Sequence, residues 1–219
     1  MPEISENIMK KIKEGRQYRE MMQPMGAKAT EGEEQKSMIV EGHATTFNTP
    51  YPLYDFGDYS VDEQVDSHAF DECDMSDVIF QFNHEGRVFA RNSNKTLNLS
   101  IDANGLLVRA DLSMASDGED LYNDIKNGLI TRMSFGFTVA EDKLEYTEDK
   151  ANGKIKCLRT ITKIGKLYDV SAVSIPANDG TDISARSFCD GVISEIKAER
   201  LERAKRAKEK AECLKLLLF

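Results

Sequence analysis

The chain lacks the features that mark several common classes of protein. Its four cysteines are scattered and form no Cys-x-x-Cys pair, which argues against a disulfide framework and a zinc ribbon and favours free thiols. The longest apolar run, residues 216–219, is far too short to cross a bilayer. The first fifteen residues contain no apolar segment of the kind a secretory signal needs. We therefore expect a protein without a membrane partner.

Metal and hydrolase motifs are also missing. The three histidines, His43, His68 and His84, do not occur in HxxxH, HxH or HExxH spacing, which disfavours a metal hydrolase. Ser134 lies in RMSFGF and not in a Gly-x-Ser-x-Gly elbow, which disfavours an α/β-hydrolase. The sequence therefore predicts neither a metal site nor a bound cofactor.

Negative charge is concentrated in the middle of the chain. The net charge is −9, and residues 38–190 carry 26 acids against 14 bases, whereas residues 191–219 carry five acids against eight bases. An acidic central region repels phosphate backbones, so we expect no nucleic-acid partner. The basic C-terminal segment is short and mixed in sign, as solvated helix faces usually are.

Three regions follow from the patterning. Residues 1–36 read as an N-terminal helix over 5–22 followed by a linker rich in Gly, Ala, Glu and Lys. Residues 37–190 read as the main domain. Residues 191–219 read as an amphipathic helix, with apolar residues at 3/4 spacing from Ile193 to Leu218 that fit packing on this domain or on a partner.

The main domain has mostly the period of β-strands. Residues 96–102 and 106–112 alternate on either side of a turn and predict a hairpin. We also expect a long surface loop over 49–66, a short helix near 68–73, a helix over 116–128, and separate strands at 155–164 and 166–175. The total of about eight strands and two short helices predicts a mostly antiparallel sheet or barrel.

Three polar residues of this domain form a set with a known chemistry. His84 follows an apolar strand and precedes a turn, where an imidazole suits general-base work near neutral pH. Ser134 shares a strand face with small residues, whereas Met133 and Phe135 point to the core. Asp169 lies on a largely apolar face and needs a charged or hydrogen-bonding partner. Together they supply a nucleophile, a base and an orienting acid.

Each of the three residues also has a purely structural interpretation. Taken alone, His84 fits a structural role somewhat better than a catalytic one. Small residues around Ser134 fit either an open cleft floor or a face covered by another element. A lysine or a backbone amide would satisfy Asp169 as well as a histidine would. His43 reads as a structural histidine on the first strand of the domain, and His68 as an exposed or capping one.

The order of these segments resembles the prohead (capsid maturation) protease family of tailed bacteriophages. The resemblance covers residues 38–187, and it is the combination of FNH, MSFGF and the Asp169 strand that is specific. The segments that carry it are EGHATTFNTPYPLYD, DSHAFDE, VIFQFNHEGRVFAR, TLNLSIDANGLLVRADL, GEDLYNDIKNGLITRMSFGFTV, LYDVSAVSIPAN and ISARS.

The resemblance implies a fold and an activity. The fold would be a small, mainly antiparallel β-barrel flanked by helices, like the herpesvirus assemblins. The activity would be that of a serine endopeptidase with His84 as base and Ser134 as nucleophile. Asp169 stands where the family usually has Glu, and His43 stands where it commonly has Tyr, so His43 stays open as an alternative third member. Oxyanion donors would be backbone amides or an arginine, for which Arg132 and Arg186 are candidates.

The resemblance also implies partners and a location. The partners would be the major capsid protein with its scaffolding segment, and a homo-oligomer is compatible with it. The site of action would be the interior of the procapsid in the bacterial cytoplasm, or the cytoplasm of a bacterium that carries the prophage. The alternative function is an inactive assembly module of the same fold that acts through its terminal helices.

Overall fold

The chain is mostly β where its structure is described. The computed structural model describes residues 16–21, 25–28, 38–55, 57, 59–149, 153–174, 201–202 and 205–206. The strands are β1 (Gln17–Met21), β2 (Gly26–Lys28), β3 (Ile39–Thr46), β4 (Tyr51–Asp55), β5 (Tyr59–Val65), β6 (Ile79–Phe82), β7 (Glu85–Arg91), β8 (Leu97–Ile101), β9 (Gly105–Asp111), β10 (Arg132–Glu148) and β11 (Ile155–Val173), and the helix is α1 (Gly118–Lys126).

The described strands form two open sheets. One has seven strands in the order β1-β10-β11-β5-β4, with β6 pairing to β11 and β7 pairing to β6. The other has the order β2-β3-β9-β8. The predicted mostly β architecture is therefore confirmed. These strands close no barrel, and a barrel with flanking helices stays a prediction.

The long pair β10 and β11 is the centre of the larger sheet. The two strands pair antiparallel from Arg132 opposite Val173 to Glu148 opposite Ile155. The prediction of two separate strands at 155–164 and 166–175 is wrong, because residues 155–173 form one strand that pairs with β10 on both sides of a register shift at Gly165. Instead β11 changes its second neighbour, pairing in parallel with β5 over 155–161 and with β6 over 169–172.

The core lies on the apolar face of β10. The side chains of Met133, Phe135, Phe137 and Val139 are almost wholly buried, as the alternation predicts. They belong to one cluster that also contains Leu106 from the smaller sheet. The alternate residues of β10, including Ser134, lie on the opposite face.

Two local predictions, a hairpin and a helix, are confirmed. The predicted hairpin forms as β8 and β9, in antiparallel register. The predicted helix over 116–128 forms as α1 and ends before Gly128, whose φ of 74° suits a residue without a side chain. In the described part of the chain, no helix is long and apolar enough to cross a membrane.

Two local predictions within the main domain are wrong. The expected loop over 49–66 contains β4 and β5, and Glu63, an acidic residue of β5, is buried in an ion-pair cluster. The expected short helix near 68–73 is a series of turns. Its backbone bonds run from residue i+3 to residue i, from Ala69 N to Asp66 O and from Cys73 N to Phe70 O, which closes turns and not an α-helix.

The N-terminal prediction is also wrong in its described part. Residues 17–21 are strand β1, paired antiparallel with β10, and residues 26–28 of the expected linker are β2. Gln17 and Arg19 are polar but buried, and Arg19 donates a hydrogen bond to the Gln17 side chain. Because these buried positions are not apolar, the sequence of β1 shows no apolar alternation. The remainder of the predicted helix, 5–15, lies outside the described residues.

The C-terminal helix is described at only four of its positions. Residues 201–202 and 205–206 are helical, and the remainder of 191–219 lies outside the described residues. The division of the chain into 1–36, 37–190 and 191–219 stays a prediction.

A buried charge cluster joins β1 to the rest of the larger sheet. The carboxylate of Glu63 accepts hydrogen bonds from Arg19 Nε at 2.5 Å, Arg159 Nη1 at 2.8 Å and Tyr51 Oη at 2.6 Å. Glu63 and Arg159 have no exposed surface, and Arg19 is 4% exposed. Burial alone would raise the pKa of Glu63, but the positive charges of Arg19 and Arg159 and the hydrogen bonds lower it to about 2.

Glu63→Gln should destabilise the protein strongly. The variant keeps the side-chain shape but removes the carboxylate that pairs with buried Arg19 and leaves buried Arg159 paired with Asp142 alone. Breaking a buried pair in this way costs about 3–5 kcal/mol in the free energy of unfolding. Because the folded-state pKa lies below the unfolded value, this stabilisation is present above pH 4.5 and is lost as the pH falls toward 2. Urea unfolding between pH 2 and 7 measures both effects.

Glu72→Gln provides the matched control. Glu72 pairs with Lys163 on the surface, where removing the carboxylate should change the unfolding midpoint little. Equal midpoints for the Glu63→Gln and Glu72→Gln proteins would contradict the role of the buried cluster.

Candidate active site

The pairing of β10 with β11 places four residues on one face of the larger sheet. Ser134 lies opposite Ser171, and Gly136 lies opposite Asp169. Residues two apart on a strand share a face, so all four point the same way. Ser134, Asp169 and Ser171 have no exposed surface.

A tight turn brings His84 to the same face. Phe82 pairs with Glu85, so Asn83 and His84 are the two central residues of a hairpin between β6 and β7. Their φ values are 51° and 58°, the left-handed region that this type of turn requires and that Asn and His enter more readily than most residues.

Asn83 fixes this turn to the end of β11. Its backbone N–H donates to the Ala172 carbonyl at 2.9 Å. Its side-chain oxygen accepts from the Ser174 N–H at 3.0 Å, and its amide nitrogen donates to Ser174 Oγ at 3.1 Å. In the FNH segment, Asn83 therefore anchors the turn to β11, and His84 is the histidine that the turn presents.

The structure brings together all three residues predicted from the sequence. Nε2 of His84 lies 2.6 Å from Ser134 Oγ. Nδ1 of the same ring is hydrogen-bonded to Asp169 Oδ1. One imidazole thus bridges a buried hydroxyl and a buried carboxylate. With its proton on Nδ1, facing the carboxylate, the ring can accept the Ser134 proton at Nε2.

The environment keeps this imidazole neutral. Burial, followed by the positive charge of Arg16, lowers the pKa of His84 to about 4. Near pH 7 the ring is therefore uncharged and can accept a proton.

Two site residues, Tyr18 of β1 and Arg16 directly before it, were missed by the sequence analysis. Arg16 forms an ion pair with Asp169 Oδ2, and its guanidinium lies 4.8 Å from the ring centroid of Tyr168. Tyr18 packs edge-on against His84 with ring centroids 4.3 Å apart. Both residues fall in the segment expected to be helical. The only sequence signal for a strand here is the alternation of residues 16–20. The apolar side chains that normally make such an alternation visible are absent.

Gly136 permits the close approach of these groups. A Cβ at this position would clash with Asp169 Oδ2, and would lie 2.9 Å from both Arg16 Nε and Tyr18 Cε1. The small residues near Ser134 therefore do not leave an open cleft in this structure. The space above Gly136 is filled by the carboxylate and by side chains of β1.

The other two histidines have partners of their own. Nε2 of His43 lies 2.8 Å from Asp102 Oδ2, so Asp169 and not His43 contacts His84. The side chain of His68 is 80% exposed and contacts Asp71 in the turn. Among the described residues, no group of three or more His, Cys, Asp or Glu side chains could hold a metal ion.

Only one of the two arginines predicted as oxyanion donors lies within the described residues. Arg132 lies two residues before Ser134 on β10, on the same face of the strand, and is partly buried. Arg186 lies outside the described residues.

Ser171 is a further residue of the site to which the sequence analysis assigned no role. Its Oγ lies 3.1 Å from Asp169 Oδ1 and 3.2 Å from His84 Nδ1. The i, i+2 spacing of Asp169 and Ser171 is the signal by which the sequence could have included it.

A histidine that bridges a serine hydroxyl and a carboxylate is the arrangement found in serine hydrolases. Residues 24–192 match the family model of the caudovirus prohead serine protease, which covers more than half of the chain. The chain belongs to that family, whose members are serine peptidases of phage capsid maturation.

Comparison with solved structures and curated sequences adds two findings. The capsid assembly protease of bacteriophage T4, gp21, aligns over 72% of this chain and 98% of its own chain, with 14% sequence identity and a TM-score of 0.37. No curated protein matches the sequence.

Arg16→Gln should raise the pKa of His84. The variant removes the cation that disfavours imidazolium and leaves Asp169 without its ion-pair partner, and both changes favour the protonated ring. Titration of the His84 ring proton signals by NMR measures the shift directly, without any substrate.

Arg91→Gln is the matched control. Arg91 pairs with Asp77 on the surface, so its loss should leave the His84 titration unchanged. A His84 pKa that is the same in the Arg16→Gln protein as in wild type would show that Arg16 does not control the charge of the ring.

Proposed function

We propose that this protein is a serine endopeptidase that removes the scaffolding segment of the phage major capsid protein, and cleaves itself, during procapsid maturation. The observation that carries the proposal is the bridge formed by His84 between Ser134 and Asp169 in a member of the prohead serine protease family. The closed barrel flanked by helices belongs to the same proposal.

In the first half of the reaction Ser134 is the nucleophile. Its Oγ attacks the carbonyl carbon of the scissile peptide while His84 Nε2 takes the hydroxyl proton. The tetrahedral intermediate then collapses, the C–N bond breaks, and His84 gives the proton to the leaving amine. Ser134 is left as an ester of the N-terminal fragment.

In the second half water replaces the amine. His84 Nε2 takes a proton from water, whose oxygen attacks the ester carbonyl. Collapse of the second intermediate returns the proton to Ser134 and releases a carboxylic acid. Ser134 is fully buried here, so a peptide reaches its oxygen only after the side chains over it move.

Asp169 has an orienting role in this scheme. It accepts from Nδ1–H of His84, which leaves Nε2 free to face Ser134 and stabilises the imidazolium that forms during attack. Its own negative charge is compensated by Arg16. The oxyanion would be stabilised by backbone N–H groups or by Arg132, which shares a strand face with the nucleophile.

The partner and the place of action come from the family. Prohead proteases act on capsid proteins, so we infer that the partners are the major capsid protein and its scaffolding segment, with a homo-oligomer compatible with this activity. The site of action would be the procapsid interior in the host cytoplasm. No metal, cofactor, nucleic acid or membrane is needed for the chemistry proposed.

Ser134→Ala should abolish cleavage of the capsid protein and self-cleavage while leaving the fold intact. Loss of the nucleophile in a triad enzyme lowers kcat on the order of 10⁶-fold. Co-expression with the cognate capsid protein, followed by mass analysis of both chains, measures the result. The control is Ser100→Ala, an exposed serine of β8, which should cleave normally. Trimming that persists in the Ser134→Ala protein would overturn the assignment.

Asp169→Asn and His43→Ala distinguish the two candidates for the third member. Asparagine has nearly the size of aspartate but favours the wrong tautomer of His84, which costs about 10⁴-fold in kcat in a Ser-His-Asp triad. His43→Ala should retain activity, because His43 contacts Asp102. Kinetics on a scaffold peptide measure both. The opposite pattern, in which only His43→Ala is inactive, would make His43 the orienting residue.

A further inference from the structure

A fourth polar side chain lies inside the candidate site. Ser171 has no exposed surface, and its Oγ lies 3.1 Å from Asp169 Oδ1 and 3.2 Å from His84 Nδ1. It is the direct cross-strand partner of Ser134. Its hydroxyl is therefore placed between the acid and the far side of the imidazole.

The direction of the Ser171 hydrogen bond follows from which atoms of the site carry protons. His84 accepts the Ser134 proton at Nε2, so the neutral ring carries its own proton on Nδ1. That proton points at Asp169 Oδ1, and a carboxylate only accepts. The Ser171 hydroxyl has one proton to give, and Asp169 Oδ1 is the acceptor in reach. Asp169 Oδ1 thus accepts from two donors, the imidazole and the hydroxyl.

The carboxylate is held from both ends. Arg16 pairs with Oδ2, and Ser171 donates to Oδ1. The two contacts differ in solvent exposure. The Arg16 side chain is 35% exposed, whereas Ser171 is buried in the central strand β11. Ser171 is therefore the donor that fixes the carboxylate from within the sheet.

We propose that Ser171 is a positioning residue of the peptidase, whose hydroxyl fixes the Asp169 carboxylate so that His84 presents Nε2 to Ser134. This inference rests on the proposed function for its effect on catalysis. Ser171 is not a second nucleophile, because its oxygen faces Nδ1 of His84, which already carries a proton and cannot accept the one from the hydroxyl.

Loss of the Ser171 hydroxyl should shift the pKa of His84 in a predictable direction. Without the Ser171 donor, the charge on Asp169 Oδ1 is less dispersed and favours imidazolium more strongly, so the pKa of His84 should rise. The other groups that face His84 are Asp169 itself, Ser134, Arg16 and Tyr18, and a substitution at Ser171 changes the chemistry of none of them. The titration of His84 therefore reports on the missing hydroxyl.

The primary test is the NMR titration of His84 in the full-length chain. Ser171→Ala should raise the pKa of His84, whereas Ser171→Thr, which keeps the hydroxyl, should titrate like wild type. The exposed Ser100→Ala serves as the matched control and should also titrate like wild type. An unchanged pKa in Ser171→Ala, or an equal rise in Ser171→Thr, would overturn the proposal.

Peptide kinetics provide the second test. A buried hydrogen bond to a charged group contributes about 10- to 100-fold, so kcat of Ser171→Ala should fall by that factor with KM unchanged. Ser171→Thr should recover most of it. A loss of kcat/KM that comes only from a higher KM would contradict a positioning role.

Two further outcomes are separable. If Ser171→Ala fails to fold, Ser171→Cys fills nearly the same space with a much weaker donor, and the same rise in the pKa of His84 is expected of it. If the wild-type chain cleaves no scaffold peptide, the proposed function fails, and the titration still decides whether Ser171 sets the state of His84.

Discussion

The antiparallel pairing of β10 with β11 is the constraint on which the candidate site depends. It sets Ser134 against Ser171 and Gly136 against Asp169 on one face, while Phe135 and its neighbours enter the core on the other. A shift of one residue in this register would turn the polar set into the core and expose the apolar one. The same pairing therefore specifies both the hydrophobic packing and the chemistry, and neither can change alone.

Burial of charge is the second theme of the larger sheet. On the core side of β10, Glu63 is compensated by Arg19 and Arg159, and on the site side Asp169 is compensated by Arg16. Arg19 of β1 and Arg16, which directly precedes β1, thus neutralise acids on opposite faces of one sheet. Strand β1 is held by electrostatics on both sides, and this explains how a strand without an apolar face becomes part of the fold.

The sequence could predict the parts of the fold that follow from apolar alternation and turn residues. The core face of β10, the hairpin of β8 and β9, helix α1 and the candidate set of His84, Ser134 and Asp169 belong to this group. It could not predict the edge strand β4, because none of its described side chains is buried. It could not predict β1 or β5 either, because their buried residues include Gln17, Arg19 and Glu63, which pattern reading assigns to the surface. Their burial depends on partners as far as 142 positions away, as Arg159 is from Gln17, and local pattern does not contain that information.

The two left-handed residues at the β6–β7 turn have a consequence for assembly of the site. Asn83 and His84 adopt a backbone conformation that costs energy unless its surroundings hold it, and the holding contacts come from Ala172 and Ser174 at the far end of β11. A chain in which β10 and β11 have paired but the β6–β7 hairpin has not docked contains a serine and an acid without a base between them. Under the proposed mechanism, chemical competence therefore requires the completed tertiary structure, and we expect a chain whose β6–β7 hairpin has not docked to be inert.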